Sequence, residues 1–420
     1  MRIAILSYHT CPIEIPGIKN TGGMNIYIRE LAIYLGNIGI NLDIFTRSQD
    51  SHVPHIVHDL GYGNRVVHIK SGSEIPLPKE VLANHIPKFT ENIIEFVNRK
   101  QLKYDLIHSH YWMSGISAIE LSNQWNIPII HMFHTLGLMK NRVAREGESE
   151  GDYRIKGERE VIRSVDKIIA ATPAELAQLQ WLYETNIEHV TVIPPGVNTK
   201  NFYPIPTDEA REYINVPNNK RMVLFVGRIE PLKGIDTLIK SISLLIKNKR
   251  NKQPDICLAI IGGNKPSDNQ EMSQEMKKLH KLIEDLNLKD AVKFLGQRPQ
   301  NLLPYYYSAA DIAVVPSHYE SFGMVALESM ACGTPVIASQ VGGLAYLIND
   351  GKTGFHVPDQ DANALSDRLS EVLFNDNLLE DVGAQASIYA KDYSWEKITP
   401  QIVAVYQEVI NKTKRKTHEA

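Results

Sequence analysis

The sequence predicts an α/β protein of two doubly wound, Rossmann-like domains facing each other across a cleft. Short apolar runs alternate with stretches of helical periodicity along the chain, the pattern of a parallel sheet covered on both faces. The alternation restarts near the middle, at Met222. At 420 residues the chain is also longer than a single hydrophobic core normally organises.

The first series opens with an apolar strand at Arg2–Tyr8. A helix follows over Met24–Gly36, with Ile26, Ile28, Leu31, Ile33 and Leu35 at helical spacing. Strands are then predicted at Leu42–Thr46, Leu106–His110, Ile129–His131, Lys167–Ala171 and Val190–Ile193. The second series begins at Met222–Gly227, continues with a helix at Gly234–Lys247, and has strands at Ile256–Gly262, Val292–Leu295, Ile312–Pro316 and Val336–Ala338. Between the series lies PPGVNTKNFYP (Pro194–Pro204), rich in turn formers. The expected domains are 1–198 and 199–394. A last helix, periodic from Trp395 to Asn411 and drawn at 395–415, is expected to pack back on the first domain.

Composition removes several function classes. A formal net charge of -3 lacks the basic excess of a nucleic-acid binder. Cys11, Cys257 and Cys332 form no CxxC pair, so neither a disulfide framework nor structural zinc is expected. The N-terminal apolar run is too short for a signal-peptide core and no run is long enough for a membrane helix, so a cytoplasmic location is expected. The basic tail Lys412–Ala420 admits a peripheral membrane contact but reads first as a solvated end. A homodimer is kept open. The GxGxxG turn of nicotinamide enzymes follows neither opening strand.

Several motifs can carry chemistry. Asn20–Asn25 (NTGGMN) precedes a helix; Gly22 and Gly23 would let backbone N–H groups approach a phosphate, or form a flexible loop with a helix cap. In Gly227–Gly234, Arg228 and Lys233 lie between a strand end and a helix start, where two cations would hold a diphosphate or sit solvated on a turn. In Glu320–Glu328 (ESFGMVALE), Glu320 belongs to a loop and Glu328 to the following helix, whose opening N–H groups at Phe322 and Gly323 could face an anion. Eight helical steps span at most ~12 Å, which suits two ends of an extended ligand better than a glycosidase pair about 5–9.5 Å apart.

Two further groups are ambiguous from the residues alone. His108 and His110 alternate along a strand and could ligate a metal, but no third ligand is apparent. A polar, aromatic pocket wall at the strand ends fits better, with His134 a candidate for a sugar hydroxyl. Arg154–Glu160 interleaves cations and acids, the mark of a solvated helix face. The one DxD, Asp359–Asp361, reads as a turn and N-cap rather than a metal site.

Together, GR-x4-K at Arg228 and Lys233, ESFGMVALE, and the following ACGTPVIAS resemble the retaining GT-B glycosyltransferases of family 4, the group that includes sucrose-phosphate synthase. Within the group, His9-Thr10 with Pro12, the GGMN at Gly22–Asn25, HSHYW-x-SG, HT-x5-N and R-x2-GE are most similar to the D-inositol-3-phosphate glycosyltransferase subgroup. The segment Ile75–Phe89 looks more like the sucrose-phosphate synthase pattern. The resemblance implies a GT-B fold, with an acceptor-binding first domain and a nucleotide-sugar-binding second.

It also implies roles. Arg228 and Lys233 would bind the donor diphosphate, which Gly23 would approach. Glu320 would bind the donor sugar, Glu328 the ribose, and the backbone at Arg298 the base. Lys79, Tyr111, Thr135 and Arg154 would clamp an acceptor phosphate, with His9, Gly22 and Asn25 nearby. His134, Arg228, Lys233 and Glu320 would form the catalytic set; from the sequence no metal-binding residues and no essential cofactor are expected, and Mg is compatible with it but not required. The implied reaction moves a hexose or N-acetylhexosamine, UDP-linked, to a small phosphorylated acceptor such as inositol 3-phosphate. Fructose 6-phosphate as acceptor, GDP-mannose as donor and a non-catalytic nucleotide-sugar-binding module are the competing readings.

Overall fold

A computed structural model describes residues 1–14, 22–58, 60–144, 149–248, 255–263 and 272–419, with side chains to residue 415. Asn20 and Thr21 of the first glycine motif lie outside the described residues. The chain divides into two compact units. One comprises Met1–Glu14, Gly23–Gly196 and Trp395–Ala420; the other centres on Val197–Ser394.

In the first unit the described strands are β1 (Arg2–Leu6), β2 (Asn41–Arg47), β3 (Ile56–Val57), β4 (Arg65–Ile69), β5 (Leu106–His110), β6 (Ile129–Met132), β7 (Lys167–Ala170) and β8 (Val190–Val192). They order as β3-β4-β2-β1-β5-β6-β7-β8, parallel except for the edge strand β3. The second unit has β9 (Lys220–Val226), β10 (Asp255–Ile261), β11 (Val292–Gly296), β12 (Ile312–Val315), β13 (Val336–Ser339) and β14 (Phe355–Val357). Their order is β11-β10-β9-β12-β13-β14, all parallel. The central strands are buried on both faces, hence the apolar runs Ile3–Leu6 in β1, Met222–Val226 in β9 and Ile312–Val315 in β12; β5 instead buries His108, Ser109 and His110. In a doubly wound sheet, ligands bind beyond the carboxyl ends of the strands, where the strand order reverses. Those places lie between β1 and β5, and between β9 and β12.

Trp395 starts the last helix, Trp395–Glu419, and is wholly buried. Its ring lies 5.3 Å from Tyr27 and 6.2 Å from Tyr34 in the helix Gly23–Asn37. Gly196 passes directly over it; a Cβ there would sit 2.6 Å from the indole. Further on, the Tyr406 hydroxyl meets His108 Nδ1 at 2.7 Å. No helix among the described residues is long and apolar enough to cross a membrane.

The helix Pro173–Tyr183 starts with a reciprocal cap. Thr172 Oγ1 accepts from the Glu175 N–H, and Glu175 Oε2 accepts from the Ala171 N–H. Glu175 is buried and its Oε1 has no hydrogen-bond partner, so burial pushes its carboxyl up to about 7. The folded state therefore favours the protonated acid. That contribution is complete below about pH 4.5 and is lost as pH rises towards 7. Glu175→Gln is expected to melt ever higher relative to the parent as pH rises through this window. Melting curves at a series of pH values check it; a gap independent of pH contradicts it.

Candidate functional site

In the first unit, His9 and Tyr111 follow β1 and β5, the two strands at the switch point. Their rings lie 4.3 Å apart. Tyr111 has a φ of 69°, unusual for a bulky residue, and N-caps the helix Trp112–Trp125. Its N–H donates to Met132 O, which fixes the turn. Two cations reach the same ring: Lys79 Nζ lies 5.8 Å and the Arg154 guanidinium 5.0 Å from its centroid. Lys79 is placed by the short helix Lys79–Leu82. Burial, then the charges of Lys79 and Arg154 and the His134 ring, hold His9 well below its ordinary value, so it is neutral; its Nδ1 is buried without a partner.

Arg154 comes from the helix Asp152–Ser164 and is 1% exposed. Nε bonds Glu158 Oε1 at 2.7 Å, and Nη2 donates to the Thr135 carbonyl and hydroxyl at 2.9 and 3.1 Å. Nη1 is 2.6 Å from Glu150 Oε1 but is not aligned for a hydrogen bond. Glu158 is fully buried and also accepts from the Gly137 N–H and the Tyr183 hydroxyl. The expectation of a solvated face over Arg154–Glu160 holds at Lys156 and Glu160, which are exposed, and fails at Arg154 and Glu158, which are buried. Charge spacing alone could not show that this face packs against the loop after β6.

Asn25 is buried near the start of the helix Gly23–Asn37, while Gly22 is half-buried and Gly23 exposed. The Asn25 amide nitrogen donates to Thr10 Oγ1 at 2.6 Å and Cys11 O at 2.7 Å, tying the loop after β1 to the helix. His134 sits just beyond β6 with a φ of 61°. Burial lowers it to about 3, so the ring is neutral. His108 and His110 spend their Nδ1 atoms on Tyr406 and His134. Among the described residues no group of three or more His, Cys, Asp or Glu is placed to hold a metal ion.

In the second unit, β9 runs into Arg228 and a 3-10 turn, Pro231–Lys233, before the helix Ile235–Lys247. Gly234 joins turn to helix at a φ of 65°, and a Cβ there would lie 2.0 Å from Pro316 O. The turn therefore presses against the end of β12, and the His318 N–H donates to Leu232 O at 2.9 Å. This packing brings Lys233 Nζ to 2.6 Å from Glu320 Oε2, across 87 positions of sequence. The pair is at the switch point, 21% and 19% exposed.

Glu320 is braced from behind. The Gly343 N–H donates to its carbonyl, and a Cβ on Gly342 would lie 2.1 Å from that oxygen. Phe322 is buried, and Gly323, at a φ of 108°, caps the helix Met324–Ala331, so the helix begins after Phe322 and Gly323 and not with them. Glu328 is not the exposed acid of an amphipathic helix: it is 3% exposed and accepts from the Tyr307 hydroxyl at 3.0 Å. Sequence reasoning missed Tyr307, which carries no motif.

Arg228 pairs locally with Glu230 at 2.7 Å, both about two-fifths exposed, a weak surface pair. Arg298 follows β11 and folds onto its own segment, with Nε 2.7 Å from Tyr306 Oη and Nη1 donating to Gln297 O. Asp361 caps the helix Ala362–Val372 by accepting from the Ala364 N–H, and Asp359 bonds His318 Nδ1 at 2.7 Å.

Comparison with known proteins agrees with this geometry. Residues 206–388 match the family model "Glycosyl transferases group 1", and residues 21–201 match "Glycosyltransferase Family 4". The D-inositol 3-phosphate glycosyltransferase 2 of Catenulispora acidiphila is 38% identical over 97% of this chain and 95% of its own. The D-inositol 3-phosphate glycosyltransferase of Corynebacterium urealyticum is 37% identical over 97% and 96%. The structure of sucrose-phosphate synthase from Thermosynechococcus elongatus superposes with a TM-score of 0.89 at 34% identity, covering 98% of this chain and 99% of that one. With two parallel α/β units, both family models and relatives of this similarity along its whole length, the chain belongs to the family 4 glycosyltransferases of the GT-B fold.

Proposed function

We propose that this glycosyltransferase moves a hexose or N-acetylhexosamine from a nucleotide sugar, UDP-linked, to a small phosphorylated acceptor such as inositol 3-phosphate. The anomeric configuration is retained. Arg228 and Lys233 bind the donor diphosphate and stabilise the charge it gains on departure. Glu320 holds the donor sugar's hydroxyls, Glu328 the ribose, and the backbone at Arg298 the base. Gly23, and Phe322 with Gly323, each at a helix start, offer backbone N–H groups to anionic oxygens. The leaving phosphate takes the acceptor's proton, and His134 contacts a hydroxyl of the transferred sugar. The protein contributes positioning and electrostatics, and the scheme requires no metal ion.

The observation that supports a phosphorylated acceptor is the pair of cations, Lys79 and Arg154, over the Tyr111 ring beside the neutral His9. Thr135 and the loop tied by Asn25 complete the surroundings. Fructose 6-phosphate is the second reading, favoured by the segment Ile75–Phe89, which contains Lys79, and by the sucrose-phosphate synthase likeness. Both acceptors present a phosphate on a polyhydroxylated ring. The test is a donor-by-acceptor screen read by product mass: UDP- and GDP-sugars against inositol 3-phosphate, fructose 6-phosphate and their dephosphorylated forms. Product confined to a phosphorylated acceptor with a UDP-sugar is expected. Product with GDP-mannose alone contradicts the donor assignment.

A further inference from the structure

The first unit buries a row of histidines that the scheme above uses only at its end. His108 and His110 lie on β5, His131 on β6, and His134 just past it. The first three share one pattern. His108 Nδ1 meets Tyr406 Oη at 2.7 Å, His131 Nδ1 meets Ser109 Oγ at 2.8 Å, and His110 Nδ1 meets His134 Nε2 at 3.0 Å. In all three, Nε2 is buried and has no hydrogen-bond partner.

That pattern decides where the protons sit. All four rings are neutral, chiefly because burial disfavours the charged form. A neutral imidazole has one N–H and one lone pair. A buried N–H with no acceptor is rarer in folded proteins than an under-used acceptor. The lone pair therefore belongs on the empty Nε2 and the proton on Nδ1. For His131 the Ser109 hydroxyl accepts, its own proton facing Ile130 O at 3.5 Å, whereas the contact between His108 and the Tyr406 hydroxyl by itself allows either group to be the donor. For His110 the acceptor has to be Nε2 of His134, whose own proton must then be on Nδ1.

We infer that His110 is a positioning residue that holds His134 as its Nδ1–H tautomer, so that His134 meets the transferred sugar as a hydrogen-bond donor and not as a base. Two features keep the rings in register. His134 is fixed in a left-handed backbone conformation, and the Tyr27 ring packs edge-on to both, 5.7 Å from His110 and 5.3 Å from His134. A donor at this point can bind a sugar oxygen but cannot accept a proton, which leaves the acceptor's proton to the departing phosphate. The inference rests on the proposed contact between His134 and that sugar.

The experiment uses the full-length protein labelled with 15N-histidine, in which long-range 1H–15N correlations report the tautomer of each ring. The parent is expected to show His134 as Nδ1–H. His110→Phe removes the donor while keeping a planar ring; it should lose the single Nδ1–H form and lower kcat by about tenfold or more, with both KM values unchanged. His110→Asn places an N–H where Nδ1–H was and should restore both the tautomer and most of the turnover. His134 found as Nε2–H in the parent overturns the inference, and so does a His110→Phe enzyme with parental kcat. Should His110→Phe fail to fold, the tautomers of the parent and His110→Asn decide. Parental turnover in His134→Ala would instead overturn the sugar contact while leaving the tautomer assignment to stand or fall by the spectra.

Discussion

Lys233→Ala is expected to lower kcat by a hundred- to a thousandfold, on the order lost when one preorganised donor to a developing oxyanion is removed. The reason is local. Lys233 ends a rigid turn wedged against β12 by Gly234 and by the Leu232–His318 hydrogen bond, so its ammonium is held in place. Its carboxylate partner, Glu320, keeps the ammonium in register at 2.6 Å. Because both groups retain about a fifth of their exposure, losing the pair should leave the fold intact. Steady-state kinetics beside a melting curve separate the two effects. Arg228→Ala should cost less, since Arg228 is more exposed and engaged with Glu230. Near-normal turnover of Lys233→Ala would remove Lys233 from the donor site.

Arg154→Ala is expected to act on stability first. It leaves Glu158, fully buried, without its cation, an uncompensated charge costing about 3–5 kcal/mol. Glu158 also holds the Gly137 N–H and Tyr183, so the loop after β6 should loosen with it. Arg154→Lys keeps the charge but loses the fork that spans Glu158 and Thr135. It should fold, and should raise KM for the phosphorylated acceptor while leaving KM for the donor unchanged. Chemical denaturation and two-substrate kinetics check these outcomes. An Arg154→Ala protein of parental stability, or an Arg154→Lys enzyme with unchanged acceptor KM, would contradict the two halves.

Much of this architecture was legible in the residues. Strands buried on both faces are mostly apolar, so β1, β9 and β12 stood out, whereas β5 pairs only Leu106 and Ile107 with three buried polar residues, His108, Ser109 and His110. The strand β4, with Arg65 and His68 among its five residues, and the three-residue β14 did not stand out. The same divide runs through the site. Lys233 and Glu320 were marked by position, each at a strand end before a helix, but nothing in the spacing showed that they touch. That contact depends on strand order, which brings β9 beside β12. Arg154 and Glu158 looked solvated because helical charge spacing does not reveal what the face packs against. Tyr111 and His134 gave no sign of their left-handed backbones, which follow from the turns that end β5 and β6.

The central claim is that the first unit recognises a phosphate on the acceptor. It is tested most directly by product formation from one UDP-sugar with inositol 3-phosphate and with free inositol, measured side by side at equal concentration. Because Lys79 and Arg154 would lose their anion, free inositol is expected to give little or no product under conditions in which the phosphorylated acceptor is fully converted. Equal conversion of the two would contradict the account.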